Sequence, residues 1–284
     1  MFRDVAHNRN WIAADRLSYT LVLAIVLAVW SFPLALTIMS AVKTDAEVLA
    51  GPLALPQHPS VDAFVKAWNL LGFGGLLLNS FVLSFFGSAL AVILAAPPAF
   101  ALSRFRIRGG EIIFIVLLTG MMVPQQTVVI PLYDLLRRMD LLDSTWGLVL
   151  VHGVYGMPFI MLILRGFMVG IPEDLISAAR VDGCSDFGVF RRVMLPLVVP
   201  AIAVAGTLNF INIWKEFFFA LIFLNSQGKL PVTVGLLQVT QSQYFSSWNL
   251  PAAALLMAQL PTVLLYIVAY RWITQGIYAG AVKG

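Results

Sequence analysis

The sequence predicts an all-α membrane protein of six transmembrane helices, and three observations carry that prediction. Of its 284 residues, 60% are hydrophobic and only 11% are charged, whereas a soluble domain carries roughly a quarter charged. Mean hydropathy is +0.89. The apolar residues also fall in runs of about 20 or more, the length a helix needs to cross the hydrocarbon core while bonding its own backbone.

The first run, residues 17–42, follows Arg3, Arg9 and Arg16 and so begins like a secretory signal. A signal core holds only about 7–15 apolar residues. This run is far longer and is read as an uncleaved first span. The others cover residues 76–103, 112–136, 146–168, 197–223 and 252–273, so residues 1–284 are expected to form a single transmembrane domain. Prolines fall inside several of them: Pro97 and Pro98, Pro124 and Pro131, Pro158, and Pro261. Each frees a backbone carbonyl, so a kink packed against neighbouring helices is expected there.

Charge asymmetry orients the chain. With the N-terminus inside, the inner segments hold Arg3, Arg9, Arg16, Arg104, Arg106, Arg108, Arg165, Arg180, Arg191, Arg192, Arg271 and Lys283. The outer segments hold Lys43, Lys66, Arg137, Arg138 and Lys229. Twelve against five places both termini in the cytoplasm. The Arg137–Arg138 pair is the local exception, flanked by Asp134, Asp140 and Asp143.

Several function classes are disfavoured. A net charge of +4 spread over short loops offers no continuous basic face for nucleic acid. Cys184 is the single cysteine, and His7, His58 and His152 are scattered, so no disulfide or metal-ligand spacing exists. A membrane-embedded enzyme needs a nucleophile or metal constellation at membrane depth. His152, the one histidine inside a span, has no such partner nearby in sequence and reads as a packed or cavity-facing residue. An ATP-independent secondary transporter would show inverted repeats or several buried carboxylates; Glu216 is the only carboxylate deep in a span.

The stretch 170–196 is the long inner connection between spans and the most informative part of the chain. Pro172 suits a first helical position, and Glu173 and Asp174 complement the positive end of the helix dipole. Leu175, Ala178 and Ala179 form a small apolar face at i, i+3 and i+4. Asp182-Gly183 stops the helix, the glycine suiting a left-handed cap. Ser185 can cap a second short helix carrying Phe187 and Phe190, and Pro196 opens the fifth span. Local physics leaves two readings open: a surface gripped by a soluble partner, or an amphipathic connector whose Arg180, Arg191 and Arg192 face anionic lipid.

At these residues the sequence resembles the permease subunits of binding-protein-dependent ABC importers. Their loop signature is Glu-Ala-Ala, three residues, Gly, nine residues, Ile or Val, one residue, Leu-Pro. Ser177-Ala178-Ala179, Gly183, Val193 and Leu195-Pro196 match it in spacing, with Ser177 standing where the family usually has glutamate. Three further stretches resemble the maltose-permease-like, carbohydrate-importing branch: Leu141-Leu142-Asp143-Ser144-Thr145, Trp214-Lys215-Glu216-Phe217 and the C-terminal QGIYAGAVKG of residues 275–284. Lys215 stands where that branch commonly has asparagine.

The resemblance implies a six-helix type I importer permease fold in the bacterial inner membrane, with residues 170–196 as its coupling loop. It implies a second homologous permease subunit, two ATPase subunits and an extracytoplasmic solute-binding protein. Arg180, Asp182 and Phe187 lie in the same loop as the matched positions, and all of these are the expected ATPase-coupling residues. The chain has no Gly-x4-Gly-Lys-Ser/Thr phosphate loop, so no catalytic residue or cofactor is expected here. ATP and Mg belong on the partner ATPase. The implied solute is a sugar, oligosaccharide, polyol or related glycoside, the alternative being a non-carbohydrate small solute.

Polar residues within the spans are candidates for the translocation path. Asn209, Asn212 and Glu216 recur at i, i+3 and i+7 on the fifth span, a face suited to sugar hydroxyls or, equally, to interhelical bonding. An ionisable group at mid-bilayer costs at least about 2.5–3.5 kcal/mol, so Lys215 and Glu216 need partners or water and are expected to pair with each other or face the path. Gln125 and Gln126 follow Pro124 and join the candidates. Ser80, Ser84 and Ser88, with Asn79, make a small-polar stripe expected to pack helices closely. Phe217, Phe218 and Phe219 read as lipid- or partner-facing.

Overall fold

The computed structural model describes residues 4–241 and 248–281, with side-chain surroundings for residues 19–237 and 248–270. Every regular element among them is helical. The side chains of Arg3, Arg9, Arg16, Arg271, Lys283 and the 275–284 stretch lie outside that description. Two compact units are present, residues 1–70 with 239–257 and residues 71–238 with 258–284.

The first unit contains α1 (Asp4–Val42), α2 (Asp45–Ala50), α3 (Asp62–Leu70) and the opening turns of the last helix, Asn249–Ala281. Ala41, Ala63 and Ala253 form its small core. Thr44 and Glu47 make a reciprocal capping box at α2. The second oxygen of Glu47 accepts the N–H groups of Gln57 and His58. Its carboxyl is therefore held below the usual range, the backbone bond to Thr44 being the largest cause. Lys43 is counted above among the outer charges. It is buried, its Nζ donating to the carbonyls of Gly51 and Pro52 at 3.0 Å each.

The second unit contains α4 (Phe73–Arg104), α5 (Gly110–Thr119), α6 (Gln125–Arg138), α7 (Thr145–Val169), α8 (Glu173–Val181), α9 (Asp186–Val189), α10 (Leu195–Trp214), α11 (Phe218–Phe223), most of α12 (Val232–Gln241) and the remainder of α13 (Asn249–Ala281). α4, α7 and α10 pack along one another through small residues that let backbones approach, among them Ala91, Ala95, Ala99, Ala201 and Ala205. Ser80, Ser84 and Ser88 are buried as expected.

Five helical stretches are long and apolar enough to cross a membrane: Tyr19–Val42, Phe73–Arg104, Thr145–Val169, Asp186–Lys215 and Asn249–Tyr270. A sixth crossing exists if Gly110–Met122 and Gln125–Arg138 count together, and these two are bent by 96°. The expected kink at Pro124 in the third span, residues 112–136, is thus a full break, and the continuous span is corrected to a broken one. Pro124 pushes Val123 into extended backbone and itself sits extended ahead of α6. Pro97, Pro98, Pro131, Pro158 and Pro261 leave their helices unbroken.

The expected fifth span, residues 197–223, is corrected too. It starts earlier, through a π-helical turn at Phe190–Met194, and it stops at Trp214. α11 restarts after Lys215–Phe217 because Glu216 turns its side chain onto the new helix, Oε1 accepting the Phe219 N–H at 2.8 Å. A carboxylate at a helix start satisfies an orphan donor and complements the dipole.

Candidate functional site

Two places in the second unit gather the residues singled out above. The first is the loop between α7 and α10. Ser185 caps α9 through the Gly188 N–H, and Gly183 sits at φ 86°, the left-handed conformation the chain reversal requires. α8 starts at Glu173 with Pro172 just outside it. The small apolar face of Leu175, Ala178 and Ala179 stays mostly outward, and its anchor lies on the other side of the helix. Ile176, fully buried, is the plug, with Ala179, Cys184 and Phe190 packed on the same core as Val189 and Met194. Leu175 and Ala178 point away from the unit, and so do Ser177, Arg180, Val181, Asp182 and Phe187. Val181 is 87% and Phe187 70% exposed, an apolar surface with no covering among the described residues. Leu195 is half-buried at the start of α10, and Pro196 is exposed.

Arg104, counted above only as an inner charge, is the fastener of this loop. It ends α4 with its side chain 6% exposed. Its guanidinium donates to the Met168 carbonyl, to the Ile171 carbonyl at 2.8 Å and to Glu173 at 3.1 Å. One side chain thereby joins the end of α4, the end of α7 and the start of α8. Arg180 pairs with Asp186 at 3.0 Å across the turn. Arg165 pairs with Glu111 at 2.6 Å and lies 4.0 Å above the Phe114 ring, tying α7 to α5.

The second place is a cavity of about 350 Å³ between the α5–α6 bend, α7 and α10. Of the expected path residues it brings together Gln125, Asn209, Asn212 and Glu216, and adds Met121, His152, Tyr155, Gly156, Phe159 and Ile213. Gln126 and Lys215 are exposed and do not line it. Glu216 therefore faces not Lys215 but His152, whose Nε2 is 3.5 Å from Glu216 Oε2. Both side chains are under a tenth exposed, and neither of those two atoms has a hydrogen-bond partner. Asn209 is buried, its amide donating to Ser88 Oγ at 3.3 Å. Gly156 leaves room for it, since a β-carbon there would stand 2.7 Å from both Asn209 amide atoms. The Thr233 hydroxyl donates to the Glu216 carbonyl at 2.8 Å, fastening the helix break to α12. Phe219, expected to face lipid or a partner, is fully buried, stacked on Phe223 and edge-on to Tyr155.

At the opposite end from the loop, Asp143 organises the 224–232 stretch. Its Oδ1 accepts the N–H groups of Asn225 and Ser226 at 2.9 Å, and its second oxygen accepts from the Ser226 hydroxyl and from Lys229. These donors, the Ser226 hydroxyl first, hold its carboxyl far below the usual range. Arg137 and Arg138 both pair with Asp134 rather than with Asp140 or Asp143. Asn79 and Ser80, read as packing residues, also bond this stretch: Asn79 donates to the carbonyls of Gly228 and Leu230, and Ser80 accepts the Val232 N–H. Tyr155 and Arg104 are the residues sequence reasoning missed, and His152, read as packed or cavity-facing, was not joined to Glu216. Their signal was position alone, one turn apart on the α7 face or at a span's end.

A polar cavity enclosed by apolar helices, beside a pinned loop with an apolar outer face, defines the membrane component of a solute transporter. The chain belongs to the binding-protein-dependent transport system inner membrane component family, whose model matches residues 87–278. It is 29% identical to a probable ABC transporter permease of Bacillus subtilis, over 97% of this chain and 91% of the relative. It is 30% identical to a sulfoquinovosyl glycerol transport system permease of Agrobacterium fabrum, over 89% of each chain. It is also 30% identical to a diacetylchitobiose uptake system permease of Streptomyces coelicolor, over 91% of this chain and 87% of the relative. Its fold is similar to that of a bacterial ABC transporter involved in alginate import, with a TM-score of 0.81 at 23% identity, covering 91% of this chain and 96% of the other.

Proposed function

We propose that this chain works as one permease domain, forming half of the path of an ATP-driven carbohydrate importer and taking its power stroke through residues 170–196. The observation that carries the coupling role is the division of labour across α8 and α9: Ile176 anchors one face, while Leu175, Ala178 and Val181 of α8 and Phe187 of α9 stay outward. An apolar face held rigidly from behind suits a groove on a soluble ATPase better than a mobile connector does. Ser177, Ala179, Arg180, Asp182, Gly183, Leu195 and Pro196 set its shape and entry. ATP and Mg act on that ATPase, and a second permease subunit completes the path. A solute-binding protein delivers the substrate from the side opposite the loop, with both termini of this chain cytoplasmic.

The carbohydrate class is supported by relatives named for glycoside and oligosaccharide transport and by the cavity's amide, carboxylate and imidazole lining. Asn209, Asn212, Glu216 and Gln125 are the proposed path residues. Gln126 and Lys215 act only where a partner or solute approaches them from outside the cavity.

The test is purification by a tag on this chain, then reconstitution into liposomes. An ATPase is expected to co-purify, and uptake of a radiolabelled oligosaccharide is expected to require ATP and the binding protein. Uptake by this chain alone, without nucleotide, would overturn the reading.

A further inference from the structure

Glu216 and His152 face each other across the cavity with one unpartnered atom each, Oε2 and Nε2, 3.5 Å apart. A burial this deep normally leaves no side-chain polar atom unmatched. The remaining oxygen of Glu216 is already committed to the Phe219 N–H, so the carboxylate cannot turn away without uncapping α11. The imidazole is held between Phe219, whose ring centroid lies 6.1 Å away, and the α4–α7 packing at Gly87. With its proton on Nε2, the tautomer a facing carboxylate favours, the pair offers one fixed acceptor and one fixed donor side by side.

Resting on the importer reading above, we infer that Glu216 and His152 form a hydroxyl-recognition pair that selects uncharged polyhydroxylated solutes and refuses acidic ones. A hydroxyl both donates and accepts. It is therefore the group that satisfies both atoms at once, donating to Glu216 and accepting from His152. The carboxylate group of a uronate, or a sulfonate group, has acceptors only and brings negative charge against Glu216. Among the described residues, no lysine or arginine lines the cavity to offset that charge. An ammonium group has donors only and leaves His152 unmatched. Tyr155 and Phe159 supply the apolar faces against which the C–H side of a sugar ring packs, and about 350 Å³ lies at the small end of ligand sites, about 300–1,000 Å³.

The test uses the tagged complex in nanodiscs, with cellobiose and cellobiouronic acid as matched probes and saturation-transfer NMR as readout. Cellobiose is expected to bind and cellobiouronic acid not. A hydrogen bond to a charged group being the strong kind, Glu216→Gln is expected to weaken cellobiose about tenfold or more while admitting the uronic acid. Because Gln still accepts the Phe219 N–H, thermal stability should hold. His152→Ala is expected to lose cellobiose as severely, and His152→Gln, which keeps an N–H donor, to restore most of it. A purely structural pair would lower stability and leave the preference between the two probes unchanged. Equal binding of both probes, no binding of cellobiose, or an unaltered preference in Glu216→Gln overturns the inference. Absence of a co-purifying ATPase sinks the importer reading instead, and the probe preference is scored separately from it.

Discussion

The loop end and the cavity of the second unit are built in opposite ways from similar residue types. At the loop, converging bonds make the joint: the terminal nitrogens of Arg104 take two carbonyls and a carboxylate, its buried Nε is left without a partner, and Ile176 fills the core beneath. In the cavity, Glu216 and His152 are as deeply buried as Arg104, and their unpartnered atoms face each other at the cavity wall. Several bonds from one guanidinium to three chain segments make a rigid joint that can carry force. Unpartnered atoms at a cavity wall are costly and open to completion by a ligand. The contrast separates a mechanical element from a binding one within a single packed unit.

The most severe break should come from the outer face of α8. Ala178→Glu and Val181→Asp are expected to abolish ATPase co-purification while the melting temperature stays unchanged, because both side chains are exposed. Ala179→Glu, partly buried on the core, should lower both. If Ala178→Glu retained the ATPase, the outward face would not be the docking surface.

Removing the plug should follow in size. Ile176→Ala leaves a cavity in a fully buried position and is expected to cost about 2–5 kcal/mol, read as thermal unfolding of the reconstituted protein. An unchanged melting temperature would mean that α8 is held by something else.

Arg104→Met keeps the apolar stem but removes the donors from the Met168 and Ile171 carbonyls, an expected loss of about 1–3 kcal/mol. Hydrogen exchange should rise at the starts of α8 and the 170–172 connection before it rises at α10. Uniform exchange would argue against a local fastener.

The smallest effect belongs to Asp143. Its carboxyl is held below the ordinary range, so the stability it adds is complete above the ordinary carboxylate value of about 4 and is lost as pH falls toward the lower folded value. Wild type should melt at constant temperature from about pH 8 to 5 as far as this group is concerned, then decline in more acid solution. Asp143→Asn should be less stable at neutral pH and should show a shallower acid decline. Parallel acid profiles for the two proteins would show that the Ser226 and Lys229 bonds do not matter.

Much of the fold was legible because lipid imposes a simple length and composition rule on each crossing. The rule failed at two breaks for local reasons. Pro124 was visible, but a proline inside a helix and a proline ending one look alike until the neighbours are known, as unbroken α4 with Pro97 and Pro98 illustrates. The break after Trp214 had no proline at all; it depends on Glu216 preferring the Phe219 N–H to a continued helix. On α8, helical spacing marked the apolar face of Leu175, Ala178 and Ala179 but not the anchor Ile176, since a nine-residue helix has apolar residues on both sides and only the core beneath decides which are buried.

By itself, the sequence determined that the chain is helical and membrane-embedded, that its 170–196 loop turns at Gly183, and that Asn209, Asn212 and Glu216 share a stripe. Each of these depends on interactions within one run of chain. Only the tertiary structure decided that Glu216 faces His152, that Arg104 clasps α7 to α8, and that Lys215 stands outside the cavity. These pairings join residues 64 or more positions apart, and helix packing sets them where periodicity within a single helix carries no information.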